Sequence, residues 1–200
     1  YGFATFFVTT ANLWSDFWDP TDLNQVFMVF LVAIFLAIAL NVWGAKIINL
    51  LQNVNVYWHV FGVTAVVLIL VFIPTKHQTL EWMFTTTNNN SGFSTGMYWW
   101  YVLPLGFLLT QYTITGFDAS AHVSEETSGA SNAAAKGIWQ SILFSAIGGW
   151  LLLLAFLYAA TDVDAINKAG GFSPAIFLSS LPLGWVKVLL VITCVGQFLC

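Results

Sequence analysis

Tyr112-Thr-Ile-Thr-Gly-Phe-Asp-Ala-Ser-Ala-His-Val-Ser-Glu-Glu-Thr127 closes an apolar run that begins near Gly96 and stays free of charge until Asp118. The stretch carries four ionisable groups: Asp118, His122, Glu125 and Glu126. At membrane depth each such group costs about 3 kcal/mol even on the mild insertion scales, so it is kept where it faces a cavity, a partner or water. Gly116 has no Cβ and lets the backbone leave helical geometry. Backbone groups freed in this way survive in lipid only where protein or a water-filled cavity satisfies them. A break over residues 116–119 exposes the C-terminal carbonyls of one half-helix, which suit an ammonium group or a cation. It also exposes the N-terminal amides of the next, which suit a carboxylate. Transporters with discontinuous helices build their substrate sites in this manner. The plainer alternative makes Gly116 a close-packing glycine and Asp118 a capped polar residue near the interface.

Asp118 and His122 stand at i and i+4, with Glu125 or Glu126 at i+7 or i+8, so one helix face gathers them. A metal reading of this face needs a second ligand cluster, and the sequence offers none; no metal site is expected.

Outside the quoted stretch the composition sets the solvent. Apolar residues make up 58% of the 200-residue chain and charged residues 7%. Soluble domains carry roughly a quarter charged residues, so this chain cannot cover a water-facing surface, and the lipid bilayer is its expected surroundings. Ten Trp suit the two lipid–water interfaces. The net charge is −4 and there is no Arg. Nucleic acid is therefore not an expected partner, because phosphate binding needs clustered cations. Cys194 and Cys200 lie in one apolar run, off each other's face, and read as packing residues.

Four apolar runs are long enough to span, since about 20 residues suffice: residues 25–44, 54–73, 96–123 (broken near 116–119) and 137–160. A fifth, 183–200, is truncated. Residues 1–10 read as the tail of an earlier span, and both ends look cut, so the chain reads as one partial transmembrane domain over 1–200. No period-2 alternation supports a barrel. The connections are polar: 12–24 with Asp16, Asp19 and Asp22, a short one at 46–53, 75–95, 124–136, and 161–180 with a short helix expected at 174–180. Lys46 and Lys136 on one side balance Lys76 and Lys168 on the other, so charge does not orient the chain. The sequon Asn89-Asn90-Ser91 and the longer loops lean toward an outside placement of the Lys76 side.

The run Tyr112–Thr127, continued by Asn132-Ala-Ala-Ala-Lys-Gly-Ile-Trp139, resembles the sixth transmembrane segment and following loop of the amino acid–polyamine–organocation permeases. It is most similar to the branch with GABA and choline permeases and related plant amino-acid transporters. Weaker similarity covers the rest, including Gly196-Gln197-Phe198. The resemblance implies an all-α integral membrane fold, a fragment of the five-plus-five inverted repeat. In it the chain supplies the tail of span 3, spans 4 to 7 and the start of span 8, with Glu125 and Glu126 on the cytoplasmic side. It implies that Thr115, Gly116, Phe117, Asp118 and Ala119 form the unwound substrate-binding part, with Phe117 or a neighbouring aromatic as a lid. Many relatives have Glu in place of Asp118, an acidic position tied to gating and pH response. The Gly-rich first helix that takes the substrate carboxylate in the family is not in this chain.

The expected function is secondary transport of amino acids or related amines by alternating access, most naturally in the plasma membrane. No enzymatic activity and no cofactor are expected beyond a coupling ion, H+ or Na+. Asp118 and His59 are the candidates for proton coupling; the plainer reading of His59 is an interfacial histidine beside Tyr57 and Trp58. The competing classes are a membrane-embedded metal enzyme using Asp118, His122 and Glu125, and a non-transporting sensor or structural protein on a transporter fold. His122 is expected to pair with Glu125 or Glu126, and Lys187 to snorkel to the outer interface. Thr193 alone does not make a sodium site. Tyr98, Trp99, Trp100 and Tyr101 form an anchoring belt, and Gly148-Gly149 allows close helix packing.

Overall fold

The computed structural model describes residues 1–87, 89, 91–122, 124–126, 129–168 and 173–199; the side chains at 43, 45, 46, 48, 49, 109, 110, 126 and 173 lie outside the description as well. Cys200, Val123, Asn90 of the sequon, and the side chains of Lys46 and Glu126 are thus outside the described residues. The chain divides into two compact units, residues 1–77 with 158–200, and residues 78–157.

In the first unit α1 (Gly2–Asn12) is followed by a loop and α2 (Leu23–Trp43). Asp22 starts α2 by accepting the Asn24 amide at 2.9 Å, which satisfies one of the free first-turn donors. α2 has no polar face: Phe27, Met28, Leu31, Phe35 and Ile38 are exposed around it. A helix apolar all round belongs in a large core or in lipid. Gly44 alone separates it from α3 (Ala45–Phe72). The Gly44 amide donates to Leu40 O at 2.8 Å, and a methyl group on Gly44 would lie 2.6 Å from that oxygen, so the junction takes only glycine. α3 begins nine residues before the apolar run at Val54. The segment 46–53 looks like a connection because of its Lys, Asn and Gln, but Ile47, Leu50 and Leu51 continue the helix, and Lys and Gln are good helix formers. α3 ends two residues before Pro74, which has no amide with which to continue the ladder.

The same unit holds α9 (Val163–Lys168), α10 (Ser173–Ser180) and α11 (Leu183–Leu199). α1 packs between α2 and α11, and α3 lies along α11. The core combines Ala4, Val8 and Val26 with fully buried Leu70, Phe177, Val186, Leu189 and Leu190. Trp58 Nε1 donates to Ile192 O at 3.1 Å across the α3–α11 seam, where Gly62 and Gly196 let the helices approach. Lys187 Nζ sits 4.9 Å above the Trp14 ring, so the expected snorkelling lysine ends on an aromatic face. Cys194 is buried in α11. Among the described residues, three helices are long and apolar enough to cross a membrane: Leu23–Val42, Leu50–Phe72 and Ala130–Ala159.

The second unit starts with α4 (Leu80–Thr85), an unanticipated helix capped by Thr79, whose hydroxyl accepts the Trp82 amide at 3.1 Å. α5 (Thr95–Met97) runs through a π-helical turn at Tyr98–Val102 into α6 (Leu103–Tyr112). The turn precedes Pro104, which has no amide to give to the residue four back; the Leu103 amide reaches Tyr98 O instead. After α7 (Ala119–His122) and a 3₁₀ turn at Ser124–Glu126 comes α8 (Ala130–Ala159). α8 starts seven residues before the apolar run at Gly137, because Ala133, Ala134 and Ala135 are the strongest helix formers.

Candidate functional site

The sequence places a break near residues 116–119; the structure has an irregular stretch over residues 113–118. Regular helix stops at Tyr112 and resumes at Ala119, so residues 113–118 form consecutive turns. Gly116 has φ +82°, a left-handed conformation that glycine adopts without strain. Short turn bonds close each end: Ile114 N to Gln111 O at 3.1 Å, Thr115 N to Tyr112 O at 3.2 Å and Ala119 N to Gly116 O at 3.1 Å. The Thr115 hydroxyl also donates to Tyr112 O, at 2.7 Å. Among the described residues, the carbonyls of Thr113, Ile114, Thr115 and Phe117 accept no backbone hydrogen bond. These are the acceptors that a helix would otherwise consume. They lie within one short stretch and are chemically suited to an ammonium donor.

Asp118 closes the break, and His122 Nε2 lies 3.3 Å from its Oδ2. His122 therefore pairs one turn back, with Asp118: in α7 the i, i+4 spacing stacks the two side chains. The Glu126 side chain lies outside the described residues. Both are more than half exposed, at 60% and 77%, which limits the pair to a few tenths of a kcal/mol, roughly 0.3–0.5. Among the described residues no third His, Cys, Asp or Glu joins them. α7 has four residues, too few for the dipole assistance that a full half-helix would give a carboxylate. Phe117 is exposed beside Gly116, and Ala119 opens α7.

His59 belongs to the other unit. Its Nδ1 lies 2.9 Å from Asn55 O, one turn back on α3. A methyl group on Gly196 would lie 3.7 Å from His59 Nε2, so the ring faces α11. An apolar groove of about 510 Å³ in that unit, lined by Phe3, Phe7, Trp18, Met28, Val32 and Phe198, offers little to an ammonium group. Two features had no sequence signal. His77 stacks on Tyr158 with ring centroids 4.1 Å apart, and its Nε2 is buried without a partner. Thr113, the first residue of the break, and Ser120, just past its end, rest on Gly149 and Gly137 of α8. Pairs so distant in sequence meet only through the fold.

The profile of the amino acid permease family matches residues 1–199. The chain belongs to this family. The permease chain is 32% identical to the amino-acid permease BAT1 of Arabidopsis thaliana over 71% of its own length and 28% of that protein. It is 25% identical to the GABA-specific permease of Saccharomyces cerevisiae, over its full length and 36% of the relative. It is 24% identical to the polyamine transporter TPO5 of the same yeast, over 70% of its own length and 22% of that transporter. The permease chain thus spans about a third or less of the curated relatives it matches. No solved structure matches it. Family membership and the lipid-suited helices make it part of an integral membrane protein.

Proposed function

We propose that the protein carries amino acids or related amines, in the range of GABA, choline and polyamines, across a membrane by alternating access. The observation that carries this reading is the break at residues 113–118, between α6 and the short α7 with its Asp118–His122 pair, in a chain of the permease family. Unsatisfied carbonyls beside Thr115, Gly116, Phe117, Asp118 and Ala119 receive the substrate ammonium, and Phe117 lids it. The names of the relatives, amino-acid, GABA-specific and polyamine carriers, support a substrate with an amino group. The chain then contributes the tail of span 3, spans 4 to 7 and the start of span 8 of a five-plus-five inverted repeat. The protein works as a carrier and not as an enzyme, in the plasma membrane, with α7 facing the cytoplasm. Coupling to H+ runs through Asp118 or His59; Na+ is the alternative ion.

The test is uptake of a labelled panel of amino acids, GABA, choline and polyamines by the full-length protein in proteoliposomes, with and without a pH gradient. Saturable uptake of one amine, lost or shifted in Asp118→Asn, is the expected result. No uptake of any panel member under any gradient overturns the reading.

A further inference from the structure

Two glycines of α8 bear on the break from outside it. A methyl group on Gly149 would lie 2.9 Å from Cγ2 of Thr113, the first residue of the break. A methyl group on Gly137 would lie 2.5 Å from Oγ and 2.9 Å from Cβ of Ser120, just past its end. Real Cβ atoms do not approach other heavy atoms so closely, so a Cβ at either position would push Thr113 or Ser120 off its seat. Small residues allow such contact between helices in lipid. Gly148, next door, would meet nothing within 4 Å, so the requirement is specific to the seats and not general to the helix.

The spacing of the seats has a consequence. Thr113 and Ser120 are seven residues apart, and an unbroken helix would advance about 10.5 Å between them, at 1.5 Å per residue. Gly149 and Gly137 are twelve residues apart on α8, roughly 18 Å along its axis. An intact antiparallel helix seated at Gly149 would bring Ser120 level with residue 142, about five residues short of Gly137. For a segment running alongside α8, both seats are filled together only when it is opened to roughly 2.6 Å per residue, between helix and extended chain.

We propose that Gly137 and Gly149 are positioning residues that hold the broken segment open by seating its two lips, Ser120 and Thr113, at a spacing no continuous helix matches. This rests on the reading of the break as the substrate site, but the seating itself can be tested without a substrate.

The test uses the full-length protein with Phe117→Cys, other cysteines replaced, and the rate of N-ethylmaleimide labelling at that position as the probe of the break. Thr115→Cys serves as a second reporter position. Gly149→Ala is expected to change the labelling rate at least threefold, and Thr113→Ser, which removes Cγ2, to restore it. Ser120→Gly is expected to restore Gly137→Ala in the same way, while Gly148→Ala leaves the rate unchanged. In uptake assays the same pairs should raise and restore KM, with the amount of folded protein unchanged. Failure of either rescue, or an equal response from Gly148→Ala, overturns the proposal. If no panel amine is taken up by the wild type, the substrate reading fails, and the labelling rescue alone decides the seating.

Discussion

Gly116→Ala is the sharpest perturbation of the break, because the change has a single physical content. A Cβ at Gly116 would meet nothing within 4 Å, so no clash with a neighbour enters. What remains is the backbone. At φ +82° a non-glycine residue costs about 1–2 kcal/mol. In a helix, alanine is about 1 kcal/mol better than glycine. The two effects have the same sign, and their sum, roughly 2–3 kcal/mol, favours helix through residues 113–118. At 1.4 kcal/mol per decade this is a shift of about 30- to 150-fold against the broken form. Substrate binding that needs the open carbonyls weakens toward that factor, and KM in proteoliposome uptake should rise at least tenfold. Amide exchange over 113–118 should slow as the helix closes. Gly92→Ala is the control: it carries the same left-handed strain, φ +76°, also in open space, but has no helix to complete. It should lower stability by about 1–2 kcal/mol and leave KM alone. A Gly116→Ala protein whose KM stays within twofold of wild type and whose exchange is unchanged would refute the link between the break and binding.

Three further outcomes are expected. Trp58→Phe removes the donor to Ile192 O while keeping a ring in the α3–α11 seam, and should destabilise the full protein in detergent by about 0.6–1.7 kcal/mol; an unchanged unfolding midpoint would show that the bond contributes nothing. His59→Ala should abolish uptake driven by a pH gradient and spare exchange, whereas unchanged gradient-driven uptake would return His59 to a packing role on Asn55. In the loop before α2, the hydroxyl and amide of Thr21 hold the Asp19 carboxyl below its usual range. A carboxyl lowered in the folded state supports the turn above the unfolded value, near 3.9, and loses that support as the pH falls through the lower folded value. Protection of the Thr21 amide, its exchange rate taken relative to the intrinsic rate at each pH, should therefore fall only in acid below about pH 4, and loss of protection near neutrality would contradict the assignment.

Much of this molecule was legible without coordinates because a membrane chain has few ways to satisfy its backbone. Sparse charge and long apolar runs leave only helices in lipid, so α2, α3, α8 and α11 could be placed from composition alone. The break could be read as well, since Gly116 and Asp118 at the end of an apolar run are hard to accommodate in an intact span. Helix starts were harder: residues 46–53 and 130–136 are polar or small yet helical, because intrinsic propensity, and not hydropathy, decides there. The π-helical turn follows from Pro104 but its place, Tyr98–Val102, does not. Side-chain partners were beyond reach. His122 had three nearby carboxylates in sequence, and only the structure shows that α7 stacks it on Asp118. Trp58 with Ile192, His77 with Tyr158, and Thr113 and Ser120 with the α8 glycines are contacts between distant segments. Sequence determined the solvent, the class of element and the weak point of one helix, because each depends on the chemistry of a few adjacent residues. Tertiary structure alone decided which side chains meet across the seams and that Thr113 and Ser120 rest on the α8 glycines, because those depend on where one segment lies against another.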